Sequence, residues 1–545
     1  MENIIQGNIV DIPARNIFFG ELHLEGSRIA RVKKLSDGIN TAAPFVCAGF
    51  IDAHVHIESS MLVPSSFGRL AVVHGTVASI SDPHEIANVC GIEGVLFMIR
   101  NGEKSPFKFH FGAPSCVPAT AFETAGATLD AAAVAQLLDR DDIYYLSEMM
   151  NFPGVLQGDP EVMAKIDAAK KRAKPVDGHA PGLRGEEAAE YIAAGISTDH
   201  ECFTPDEARE KLVHGMHILI REGSAAKNFE ALIGLLHEFP DHIMFCTDDK
   251  HPDSLVNGHI DQLCARAIDH EVDVFHILQA ACINPVLHYN MNVGLLREGD
   301  PADFILLNDL ENFDVLETWI EGQMVAKNGE SLLEHIAEEP INHFDCKPRV
   351  LEDLFIAADK DPMPAIEAMD GQLITKTLPL TADDLVVENG GYVSNVKKDL
   401  LKLVVVNRYK EAPAAACFIK HFGLKQGAIA SSVAHDSHNI IAVGVDDASI
   451  CEAINLVIAE RGGISCFSGN KSMVLPLPVA GLMSTDDGYE VAAAYTKIDL
   501  MAKDLGSLLG APFMTLSFMA LLVIPELKLS DKGLFNGMDF TFIER

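Results

Sequence analysis

Eight short apolar runs between residues 49 and 251 end alike, with hydrophobic residues followed by His, Asp, Glu, Ser or Cys. In order they are GFIDAHVH, TVASISDPHE, FKFHFGAPS, IYYLSEMMN, PVDGHAP, GISTDHE, HILIREGS and HIMFCTDDKH. Stretches of helical pattern separate them, among them TLDAAAVAQLLDR, EVMAKIDAAKKRA and GEEAAEYIAAG. Parallel strands need long crossovers, and a helix is the usual one. Eight such units predict an α/β fold, a TIM-like (β/α)8 barrel with its active site at the C-terminal strand ends. A doubly wound open sheet also alternates strand and helix, but it does not call for eight decorated strand ends.

The flanks differ in texture. Residues 1–45 read as short β segments (NIVDI, NIFFGELHLEG, SRIARVKKL) broken by Gly, Asn and Ser. After a barrel at 46–290, residues 291–345 return to β pattern in NVGLLREGDPADFILLNDL and VLETWIEGQMVAKNGE. The two β stretches are expected to join into one small satellite domain. Residues 346–370 are irregular and read as a linker, and 371–545 as a separate C-terminal α/β domain. A chain of 545 residues agrees with several domains.

Composition narrows the function. A formal net charge of −36 without any Lys/Arg block argues against nucleic acid and suits a small neutral or cationic substrate. The 11 cysteines are scattered with no C-x-x-C pair, against both a zinc ribbon and a disulfide framework. Reduced thiols in a cytoplasmic protein are the expectation. The start, MENIIQGNIVDIPARN, lacks the pattern of a signal peptide, and FMTLSFMALLVIP is too short to span a membrane. A soluble homo-oligomer without a membrane partner is expected.

The chemistry concentrates at the run ends. In GFIDAHVHIESS, strand alternation turns His54 and His56 to one face, with Asp52 in the same row. A lone buried histidine is usually a satisfied core residue, whereas a pair on one buried face calls for a shared partner such as a metal ion. His84, Glu148, His179, His200 and Asp248 end later runs. Imidazole and carboxylate suit zinc, manganese or iron, and a two-ion site needs a bridging carboxylate, for which Glu148 in YYLSEMMN is the candidate. Asp248 can bind an ion and accept a proton from attacking water. Asp249 is expected on the opposite face if its strand continues. In AHDSHN, His435, Asp436 and His438 read first as a surface loop and alternatively as a turn with both histidines on one side, reaching the barrel mouth; Arg69 and His74 read as structural residues.

His-x-His, two later histidines and a final aspartate on an eight-stranded barrel resemble the amidohydrolase superfamily. Within it, AGFIDAHVHIESSM, ISDPHEIANVCG, SEMMNFPGV, DGHAPGL, STDHECF and CTDDKHPDSLVNGHID are similar to the bacterial adenine deaminase family, as are SSVAHDSHNIIAVG and GLMSTDDG in the rear domain. Many superfamily members bridge their metals with a carboxylated lysine at strand four, where this chain offers Glu148. The resemblance implies two divalent ions, usually manganese or iron, with zinc also possible, and hydrolysis of adenine to hypoxanthine and ammonia. It implies that His54, His56 and Asp248 hold one ion and His179 and His200 the other, with Glu148 between. Attack at C6 requires protonation of ring N1, for which His84, Glu85 and Glu201 are candidates. Ser115 and Cys116 are expected to line the purine pocket. Other expectations are a different binuclear amidohydrolase, acting on a cyclic amide or an N-acetyl amino sugar, and a non-catalytic metal-binding barrel. The cysteine-ligated deaminase design fails, because His56-Ile57-Glu58 is not accompanied by P-C-x-x-C.

Overall fold

The computed structural model describes residues 3–358, 362–469 and 471–543. Each of the eight runs contains a strand. Five lie side by side in parallel, Phe50–Val55, Thr76–Ser81, Lys108–Ala113, Ile143–Met149 and Val176–Gly178. Three more, Thr198–Asp199, His217–Arg221 and Ile243–Cys246, pair in parallel in a second arc. A few backbone bonds close the ring. Ser197 N–H donates to Val176 O at 2.9 Å on one side, and Asp248 N–H to His54 O at 2.9 Å on the other. The first two strands are buried at every residue, because side chains fill the interior while helices cover the outside.

The crossover helices start where sequence chemistry puts caps. Asp130 accepts from Ala133 N ahead of Ala131–Leu138, and Asp159 from Glu161 N and Val162 N ahead of Pro160–Lys171. Thr204 does the same for Pro205–Val213. Such a side-chain oxygen satisfies an N–H that the helix itself leaves unpaired.

Phe45–Ala48 unites the β flanks. It runs parallel to Asn3–Asp11 and antiparallel to Phe304–Leu307, so segments far apart in sequence share one eight-stranded sheet. Asn16–Glu25 in this sheet alternates buried and less buried residues, as a strand with one covered face should.

The C-terminal region carries another eight-stranded sheet, centred on Ala415–Lys420, Leu400–Val406 and Ile440–Gly444, with helices Asp447–Ala459 and Gly488–Asp504. Here the expected linker is revised. Ala365–Glu367 is a strand of this sheet, paired with Ala415–Lys420, since its backbone finds partners there and Ala365 and Ile366 are fully buried. The C-terminal region also docks on the barrel's mouth. Ser484 N–H donates to Met61 O at 2.8 Å, Tyr495 Oη bonds His251 Nδ1 at 2.6 Å, and Arg69 pairs with Asp487. Among the described residues no helix is long and apolar enough to cross a membrane.

Candidate metal centre and active site

His54, His56, Glu148, His179, His200 and Asp248 converge at the C-terminal ends of the barrel strands, all buried. His54 Nε2 and His56 Nε2 lie 3.2 Å apart, and Asp248 Oδ1 is 3.6 and 3.2 Å from them. Glu148 faces both groups. Its Oε1 is 3.3 Å from His56 Nε2, and its Oε2 lies 2.7 Å from His179 Nδ1 and 3.2 Å from His200 Nε2. Burial pushes the Glu148 carboxyl up, but His179 and His200 outweigh it and hold the group well below its ordinary range. His54 is driven well below its usual value by burial and by His200 and His56 beside it, which leaves a neutral ring of the kind a metal ligand requires.

This donor set fits a divalent cation. A four-coordinate ion with ligands at about 2.0–2.2 Å places neighbouring donors about 3.3–3.6 Å apart. The triangle of His54, His56 and Asp248 has edges close to that. Within this donor set, His54 Nδ1 and His179 Nε2 are buried without a hydrogen-bond partner among the described residues. His56 presents its other nitrogen to Asp82 O at 3.2 Å, an arrangement that orients a ligating imidazole.

Two devices hold the strand ends. Asp52, in the row of the histidine pair, accepts from Thr247 N at 3.0 Å and bonds His259 Nε2 at 2.9 Å, tying the first strand to the eighth. Lys211 is buried and donates to Asp199 Oδ2 at 2.5 Å, Ala180 O at 2.8 Å and Glu207 Oε1 at 3.0 Å. One ammonium thereby fixes the residue after His179 and the residue before His200.

A narrow pocket lies over these donors. His84, Glu85 and Glu201 line it. Ser115 and Cys116 do not. The Ser115 hydroxyl bonds Glu148 O at 2.5 Å and its carbonyl accepts from Lys165 Nζ at 2.9 Å, so the loop after the third strand folds behind Glu148.

Asp249 is a second correction. The eighth strand stops at Cys246 and Asp248 takes φ 56°, so alternation no longer applies. Asp249 then turns into the same pocket and accepts from Ser59 Oγ at 2.5 Å. His435, Asp436 and His438 are a third. They are not on the surface but buried against the barrel, where His435 Nδ1 and His438 Nε2 grip the two oxygens of Glu85. Arg69 and His74 stay outside the pocket, paired with Asp487 and Asp261.

Sequence reasoning missed Arg221, at the end of the HILIR strand. Its guanidinium is buried between two acids. Nη1 reaches Glu201 Oε1 and, at 2.7 Å, Asp248 Oδ2, while Nη2 reaches Glu201 Oε2 at 3.0 Å. The available signal was a cation closing an apolar run. The apolar roof, Leu373, Phe518 and Leu521, comes from the C-terminal region and carried no signal of its own.

A (β/α)8 barrel with buried histidines and carboxylates gathered at its C-terminal strand ends defines a hydrolase of the amidohydrolase class, which implies a divalent metal. Residues 45–325 match the amidohydrolase family model, and residues 372–541 match the adenine deaminase C-terminal domain. The chain is 54% identical to an adenine deaminase of Salinibacter ruber, over 99% of this chain and 98% of that one. It is 52% identical to one of Methanosarcina acetivorans over 99% and 98%, and 48% identical to one of Borreliella burgdorferi over 99% of both. The chain belongs to the adenine deaminase family.

Proposed function

We infer that this protein hydrolyses adenine to hypoxanthine and ammonia. The observation that carries the reading is about half identity to adenine deaminases along essentially the whole chain, rear domain included. An amidohydrolase for cyclic amides or N-acetyl amino sugars has no need of that rear domain. A non-catalytic metal barrel has no need of a pocket lined by acids beyond the donor set.

The site is read as binuclear. His54, His56 and Asp248 would hold one ion, and His179 and His200 the other, with Glu148 shared. Manganese or iron suits this donor set, and zinc fits it as well. Bound divalent ions supply a water whose pKa is brought towards about 7. Asp248, in the donor set, would accept a proton from the attacking water as its oxygen adds to C6. Of the three groups considered for N1, Glu85 has both oxygens on histidines and Glu201 has both on Arg221. His84 Nε2 is freer, 3.5 Å from Glu85 and 3.7 Å from Asp436, and is assigned the donor to N1. Asp248 then passes its proton to the departing amine. The C6–N bond breaks, ammonia leaves, and the hydroxyl proton restores His84, so hypoxanthine keeps the proton on N1.

All 11 cysteines are free thiols, which supports a cytoplasmic setting. The test is ammonia release from adenine by protein loaded separately with manganese, iron and zinc. Absence of turnover with every metal refutes the reading.

A further inference from the structure

The run LKLS at 527–530 sets a lysine between two leucines, the alternation expected of a strand with one wet face. The structure buries all four residues, and Lys528 is 0% exposed. Burial alone pushes its ammonium down to about 7, which shows how poorly the site suits a charge. A group so costly to bury calls for an account of what its bonds hold.

Those bonds go to the roof of the active-site pocket. Lys528 Nζ donates to Leu373 O at 2.6 Å and to Phe518 O at 3.0 Å. Leu373 and Phe518 come from segments far apart in sequence, and with Leu521 they cover the donor set. Phe518 closes the helix Pro512–Phe518, so its carbonyl is one the helix leaves unpaired, and Leu521 N–H shares it at 3.2 Å. Leu373 lies in irregular chain between the strands Ala365–Glu367 and Lys376–Leu378. Among the described residues, the bond from Lys528 is the one hydrogen bond its backbone makes. One nitrogen thus ties both halves of the roof, and it can do so as an ammonium or as an amine, since either carries two hydrogens.

Leu373 also stands at a boundary. With Glu201 and Arg221 it lines both the active-site pocket and an outer cavity walled by Pro181, Phe203, Ile374 and Pro525. Glu201 and Arg221 belong to the barrel and are bonded to each other, whereas Leu373 is the one of the three that comes from the rear region.

We propose that Lys528 is a positioning residue for the reaction: it holds Leu373 and Phe518 in the closed roof, so that the purine pocket is formed before substrate enters. This rests on the adenine reading. A pocket that is formed only a fraction of the time has its apparent affinity lowered by that fraction, while the bound state is unchanged. Loss of the clip should therefore appear in KM and not in kcat, because bound substrate holds the roof shut itself.

The test uses the metal-loaded full chain carrying Lys528→Met, which fills the space without a donor. KM for adenine should rise about tenfold, with kcat within about threefold of the parent. The ions, uncovered more of the time, should pass to a chelator about tenfold faster. Lys402→Met is the control for general loosening. Lys402 is another buried lysine of the rear region, but it bonds Leu354 O at 3.0 Å, and Leu354 is no part of the roof. This control should lower the melting temperature and leave KM and ion release as they are. A folded Lys528→Met in which either KM or ion release matches the parent overturns the proposal, and so does an equal rise in KM from Lys402→Met. Should Lys528→Met not fold, Leu373→Ala reads the same roof with the lysine in place, and an unchanged KM or ion release overturns the proposal. A parent inert towards adenine refutes the proposed reaction instead, and ion release alone then decides the role of Lys528.

Discussion

Arg221→Met removes one guanidinium and keeps most of the side-chain volume. In the parent, burial works against the charge, yet Glu201 and Asp248 hold Arg221 well above its ordinary value, so it remains a cation. It makes three close contacts, two to Glu201 and one to Asp248. Hydrogen bonds to charged groups are worth about 1.5–3 kcal/mol each, and deleting one partner of a buried ion pair costs about 3–5 kcal/mol. The lower end is the better figure here, because cations at the neighbouring histidines would offset part of the charge left on Asp248. About 3 kcal/mol placed on the barrier is a factor of roughly 150. Arg221 touches none of the four histidines, and of the donor set it reaches only Asp248, through Oδ2 and not the Oδ1 that faces His54 and His56, so the ions should stay. The expected result is at least about a hundredfold loss of kcat/KM for adenine, with metal per chain unchanged by elemental analysis. Arg221→Lys should recover only part of it, since an ammonium cannot span both carboxylates as the planar fork does. An Arg221→Met enzyme within tenfold of the parent would refute the idea that this cation sets the two acids.

His54→Ala or His56→Ala should abolish turnover and lower bound metal, with far-UV circular dichroism unchanged; normal metal content in either variant removes that residue from the donor set. Asp248→Asn should lower turnover at least about a hundredfold, since a general base contributes about 10²–10⁴, and a loss under tenfold hands the base role to another acid. His110 tests pH. Burial pushes it down to about 4, and its Nδ1 has no partner among the described residues. Between pH 6.5 and 4 the unfolded chain therefore binds the extra proton, and stability falls as pH falls through that window. His110→Phe should lose less melting temperature than the parent between pH 7.5 and 5.0; equal losses would show that His110 is not the group responsible.

The barrel was readable because each strand announces itself twice, by an apolar run and by the polar residue that stops it. His54, His56, Glu148, His179, His200 and Asp248 sit in one cluster for that reason. The rule locates strand ends and is silent on where the chain goes afterwards. Ser115 and Cys116 follow a strand end yet fold behind Glu148, while Asp249 turns inwards because Asp248 adopts a left-handed backbone. Arg221 was passed over because a cation closing an apolar run reads as a solvent-facing end, until Glu201 and Asp248 are seen on either side of it.

The rear region was the least legible, and the reason is physical. AHDSHN has no periodicity and no metal spacing, and its meaning depends on docking against Glu85, some 350 residues earlier. The dependence runs both ways. Glu85 is a buried carboxylate whose two oxygens are held by His435 and His438, and the roof over the donor set is Leu373, Phe518 and Leu521. A barrel stripped of these residues would keep its strand-end histidines and acids, but Glu85 would have only His84 Nε2 beside it, at 3.5 Å, and the cluster would lie open to water. Electrostatic contacts among the strand-end groups weaken as water enters, because the local dielectric rises. The two segments matched by separate family models thus line one pocket, the barrel with its strand-end histidines and acids and the rear region with the residues that cover them.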